Sequence, residues 1–159
     1  MSCDVAASAF LFLASLSPGQ AQPRLVTALN AAPPAAAASS RLASEPLYAD
    51  IIGRARGLKA MVEAFRRAAP GAALPDYDGF KAQVAALSAL DMKGHLDLAA
   101  RGTDGDLKCI LKGISVDLPK KLADLDSAPP ASRETALREL GYLLNDNVEV
   151  LTAPPAAPV

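Results

Sequence analysis

Leu107-Lys-Cys-Ile-Leu-Lys-Gly-Ile-Ser-Val-Asp-Leu-Pro-Lys-Lys-Leu-Ala-Asp-Leu125 is the stretch on which the fold turns. Its aliphatic residues Leu107, Ile110, Leu111, Ile114, Leu118, Leu122 and Leu125 recur at three- and four-residue steps, which lines one side of a helix. A second parse competes with this one. His95-Leu-Asp-Leu98 alternates, Asp104-Gly105 is a strong turn signal, and Leu107 to Lys112 reads as a returning strand. That gives an α+β fold with a hairpin at about 95–112, and Asn147 to Thr152 as a third strand. The unbroken stripe from Leu107 to Leu125 favours the helix. Thr103 is then its expected N-cap, with Asp106 reaching back in a variant of the capping box. Pro119 must kink or restart the helix, because its ring removes a donor and crowds the preceding turn. Asp117 is the expected cap of a restarted segment.

Three further stretches carry the same period. Tyr48, Ile51, Ala55, Leu58, Val62 and Phe65 mark a helix from about Ser44 to Ala69. Ser44 is its expected cap, Glu45 and Pro46 suit its first turn, and Pro70-Gly71 ends it. A second begins near Asp76, with Phe80, Val84, Leu87 and Leu98 on one face and Asp91 and Gly94 as interruptions. The last begins at Ser132, after Pro129 and Pro130, and carries Leu137, Leu140, Leu144, Val148 and Leu151. Asn145-Asp146-Asn147 weakens its middle, since these side chains compete for backbone groups. Four such stripes predict an all-α domain, an antiparallel four-helix bundle over residues 44–152.

The flanks read differently. Val5 to Leu16 is an apolar run too short to span a bilayer, which needs about 20 residues. It has the length of a signal-peptide core, and Gly19-Gln20-Ala21 offers a cut after Ala21. Met1-Ser2-Cys3-Asp4 lacks the Lys or Arg that usually precedes such a run, and the alternative is an N-terminal core helix. Residues 1–21 are therefore a candidate signal peptide, 22–43 an Ala/Pro-rich linker, and 153–159 a Pro/Ala-rich tail. The expected location is periplasmic or secreted, or cytoplasmic if the segment stays.

The chain has 159 residues, 51% of them apolar, with no Trp, and only four Phe and three Tyr. Leu, Ile and Val must build the core, each contributing about 1.5–3 kcal/mol when fully buried. The net charge is −1, which lacks the basic footprint of a nucleic-acid binder. Charge is nevertheless uneven. Residues 41–69 hold six basic and three acidic groups, and residues 70–159 hold nine basic and thirteen acidic ones.

His95 is the only histidine, with Asp91 one turn earlier as its expected partner. A carboxylate beside an imidazole raises the imidazole pKa and fixes its tautomer. A b-type haem carrier would use His95 with Met61 as axial ligands, because Met92 stands too near His95 to reach the opposite side of the iron. A small helical bundle with one histidine also resembles a histidine phosphotransfer domain. Such domains show Lys-Gly three residues after the histidine, whereas here Lys93-Gly94 precedes it. Cys3 and Cys109 make neither a metal-ligand spacing nor a C-x-x-C pair. Cys109, Val116, Leu143 and Val150 face away from their stripes, which is how a second interface would look. The leading expectation is thus an exported helical protein, with no catalytic constellation, no metal and no cofactor. It acts by protein–protein interaction or self-association. A cofactor carrier and a cytoplasmic regulatory bundle are the alternatives, and stable membrane insertion and nucleic-acid binding are not expected.

Overall fold

The computed structural model describes residues 41–69, 72–102 and 105–153. Four helices account for most of them: α1 (Pro46–Arg67), α2 (Tyr77–Arg101), α3 (Gly105–Ser127) and α4 (Arg133–Thr152). The hairpin parse is overturned, because residues 95–101 and 105–112 are helical and no strand occurs among the described residues. Asn147 to Thr152 is helical as well. The expected signal peptide, most of the linker, Thr103, Pro70-Gly71 and all of the tail but Ala153 lie outside the described residues. Residues 41–44 are helical, so the linker does not run on to residue 43 as expected.

Neighbouring helices run antiparallel. Glu45 and Tyr48 at the start of α1 meet Arg101 and Asp97 at the end of α2, while Phe65 meets Tyr77 and Phe80 at the other end. Ser88 faces Ser115 between α2 and α3, Lys121 faces Glu139 between α3 and α4, and Arg66 faces Glu134 between α4 and α1. Each helix lies against two neighbours, and the backbones of the diagonal pairs, α1 with α3 and α2 with α4, do not approach one another. The centre is filled by side chains. Ile51, Leu58, Val62, Phe80, Val84, Leu87, Leu111, Leu118, Leu140, Leu144 and Leu151 are all fully buried there.

The buried positions of α2 are Phe80, Val84, Leu87, Asp91, Gly94 and Leu98. Those of α4 include Leu137, Leu140, Leu144, Asn147 and Leu151. Both sets alternate steps of four and three, the seam of helices that pack with interlocking side chains. Asp91 and Gly94 therefore continue the buried face of α2 rather than interrupting it. Asn147, not Val148, takes the innermost position of α4.

The helix ends depart from expectation in detail. Ser44 does not cap α1; its hydroxyl donates to the Arg41 carbonyl at 2.6 Å, and Glu45 takes the cap position without a side-chain bond. Ser132 holds the cap position of α4, also without a side-chain bond. Asp76 precedes α2 in a left-handed conformation, φ 47°, which Asp tolerates better than most residues. Gly102, φ 64°, closes α2 in the conformation that favours glycine.

Pro119 does not restart α3, which is continuous through it, and Asp117 pairs with Lys120 on the surface instead of capping. A proline at 119 leaves the carbonyl of Ser115 without its donor one turn on. Ser88 of α2 supplies that donor: its hydroxyl bonds the Ser115 carbonyl at 2.7 Å. The break in one helix is thus mended by its neighbour, at a half-buried contact.

Candidate functional site

Among the described residues the buried polar side chains are Asp91, Asn147 and Ser115, and the first two meet in one layer of the core. Asp91 and Asn147 are fully buried, on diagonal helices, and the Asn147 amide donates from Nδ2 to Asp91 Oδ2 at 2.8 Å. The remaining oxygens, Asp91 Oδ1 and Asn147 Oδ1, are buried without a hydrogen-bond partner. Burial disfavours the charged form of a carboxyl. It pushes the Asp91 pKa up to about 7, against a smaller lowering by the Asn147 amide. Carboxyls shifted in this way by burial gather at functional sites, and structural networks shift them as well.

One turn along α2 the helices come closer. A side chain at Gly94 would lie 3.1 Å from Leu111 Cδ1 and 3.4 Å from Ile51 and from the Tyr48 ring. Glycine there lets the Tyr48 ring lie flush against α2. The Tyr48 hydroxyl then donates to Asp97 Oδ2 at 2.6 Å. Asp97 also accepts from Arg101 at 2.8 Å, and Arg101 grips Glu45 with two bonds of 2.9 and 2.6 Å. Burial, and then the Asp97 carboxylate, hold the Tyr48 pKa well above the usual phenol range. The Arg101 bonds lower the Glu45 pKa. This cluster sets one guanidinium between two carboxylates and fastens the start of α1 to the end of α2.

His95 is half-buried, and its partner is not Asp91. Its Nδ1 lies 2.7 Å from the carbonyl of Lys108 on α3. A carbonyl only accepts, so Nδ1 carries the hydrogen and the ring is held against α3. Asp91 instead turns inward to Asn147, because α2 buries position 91 and leaves 95 at the edge. Met61, half-buried on α1, is level with Val84 by the pairing of Tyr48 with Asp97 and of Phe65 with Phe80. That is about eleven residues from His95 along α2, or about 16 Å. The structure does not bring His95 and Met61 together, and the residues do not fit a haem held between them.

Of the four expected interface residues, only Val116 stands well out of the surface, at 43% exposure. Leu143 and Val150 are half-buried and packed against the core. They share the side of α4 that carries Glu139, which bonds Lys121 of α3, so they close the α3–α4 seam instead of leaving it. Cys109 is half-buried and is not a free thiol, while Cys3 lies outside the described residues. Two apolar side chains that the sequence reading passed over are more exposed than any of these: Tyr142 at 63% and Leu96 at 59%. Each lies two residues from a buried leucine, which turns it about 200° away from the core. A helical projection centred on Leu140 or Leu98 would have marked both.

Among the described residues no group of His, Cys, Asp and Glu could hold a metal ion, and no helix is long and apolar enough to cross a membrane. No known protein family, curated protein or solved structure matches this chain.

Proposed function

We propose that this chain is an exported helical protein that works by binding another protein, with Tyr142 as the anchor of the contact. The reading rests on where apolar surface is left over once the bundle is packed. Tyr142 on α4 and Val116 on α3 project from adjacent helices at 63% and 43% exposure. The Lys121–Glu139 pair fixes their relative height: Val116 is level with Leu144, about 3 Å along the axis from Tyr142. Tyrosine is among the side chains most often found carrying binding energy at protein interfaces. Export is inferred from the apolar run Val5 to Leu16 and the small residues before Ala21.

The test is a double variant, Tyr142→Ser with Val116→Ser, compared with the natural chain by cross-linking in the producing cell and by sedimentation of the purified protein. Both positions are on the surface, so folding stability should change by no more than about 0.5 kcal/mol. Association is expected to fall in the variant. A natural chain that sediments as a monomer and cross-links to nothing would refute the proposal.

A further inference from the structure

We infer that Asp91 and Asn147 form a proton-dependent latch across the diagonal of the bundle, closed while Asp91 holds its proton and loosened when it leaves. The geometry states the problem that the proton solves. One bond of 2.8 Å uses Asp91 Oδ2 and one hydrogen of the Asn147 amide. It leaves over two buried oxygens, one on each residue. With Asp91 ionised, both are acceptors, and two acceptors cannot satisfy each other. With a proton on Oδ1, the carboxyl becomes a donor and an acceptor at once, the complement of a primary amide. The acid O–H donates to Asn147 Oδ1 while Oδ2 goes on accepting, and no polar atom of the pair is left over.

Among the described residues no neighbouring charge offers another solution. Ile51, Ile52 and Ala55 form the buried face of α1 at this height; Asp50 and Arg54 are exposed and bonded to each other, and Lys59 is spent on Asn145. From α3 come Leu111, Ile114 and Ser115, with Lys112 exposed and Lys108 half-buried, its carbonyl accepting from His95. From α4 come Leu144 and Leu151, with Asp146 and Glu149 exposed. On α2 itself Lys93 is exposed and Asp97 is committed to Tyr48 and Arg101. Burial and the Asn147 amide are what act on the carboxyl. An ionised Asp91 would thus sit in an apolar layer with one hydrogen bond and no counter-ion.

The latch matters because of where it lies. The backbones of α2 and α4 do not approach each other, and among the described residues this is the one hydrogen bond between them. The direction of the pH effect follows from the raised pKa. In the unfolded chain the carboxyl ionises near its ordinary 3.8, and in the folded chain near 7. Below about pH 4 both states hold the proton, and the latch contributes in full. Between about pH 4 and 7 only the folded state keeps it, so the folding constant falls up to tenfold per pH unit, about a thousandfold in all. Above 7 both states are ionised and the loss levels off, with the latch loosened to the single bond from the Asn147 amide.

The experiment follows the carboxyl carbons of the full chain, labelled with carbon-13 at aspartate, by NMR from about pH 3 to 9. One aspartate should titrate near neutrality, and its signal should be missing from Asp91→Asn. If every aspartate titrates in the ordinary carboxylate range, the latch does not exist; this readout needs no variant that folds. Urea unfolding gives the second arm. The Asp91→Asn side chain can form the same two-bond ring with Asn147 at every pH. Its folding constant should therefore escape the fall that the natural chain shows between about pH 5 and 7, about a hundredfold. Parallel pH profiles for the two proteins would overturn the inference.

Discussion

The seam between α1 and α2 is fastened by opposite chemistry at its two ends. At one end Phe65 meets Phe80 edge-on, with ring centres 5.1 Å apart, and Tyr77 stacks on Phe80 at 6.0 Å. At the other, Tyr48, Asp97, Arg101 and Glu45 form a chain of hydrogen bonds and ion pairs at the rim. The ring end draws its stability from area removed from water, which is non-directional. The polar end gains little from its exposed ion pairs, because water competes for both partners. What it supplies is direction: its bonds form only in one register. One end therefore holds the helices together and the other fixes how they line up.

The largest expected effect comes from breaking the ring end. Phe80 is fully buried, so Phe80→Ala leaves a cavity and strips Phe65 and Tyr77 of their partner. It should cost about 3–5 kcal/mol, read as a lowered midpoint of urea unfolding with unchanged slope. A loss under about 1 kcal/mol would mean that the rings do not carry this end.

A smaller effect sharpens the polar end. Gly94 gives Tyr48 the room to reach Asp97, and a larger side chain would run into Leu111 and then into the Tyr48 ring. Gly94→Leu should cost about 1–3 kcal/mol through overpacking. It should also free the Tyr48 hydroxyl from Asp97, which a phenol titration at lower pH would report. The polar end would lose its register-setting role if Gly94→Leu left both stability and that titration unchanged.

These residues also show what the sequence could and could not tell. Aliphatic steps of three and four marked all four helices, because burying an apolar stripe leaves the same periodic trace wherever it occurs. The same rule hid Asp91 and Asn147. Each stands at a seam position, but an aspartate and an asparagine among leucines read as breaks in the pattern. Only the partner on the opposite helix makes them tolerable inside, and no local spacing records that partner. Ser88 was silent for the same reason, since its value lies in the carbonyl that Pro119 leaves bare on α3. His95 was visible as the only histidine, yet its neighbour was misjudged: position 91 turns inward, and the ring looks to the backbone of α3.

The smallest effect separates charge from packing at the polar end. Arg101 lies 5.9 Å from the centre of the Tyr48 ring, besides pairing with Glu45 and Asp97. Arg101→Gln removes the charge while keeping a long polar side chain. Its side chain and those of Glu45 and Asp97 are 33–40% exposed, so screening by salt reaches them. The variant should unfold at a slightly lower temperature than the natural chain at low salt. The gap should close at about 1 M salt, where charges are screened within about 3 Å. A gap that survived high salt unchanged would trace to the guanidinium lying over the Tyr48 ring. The polar end would then hold by contact, as the ring end does, and the contrast between the two would fail.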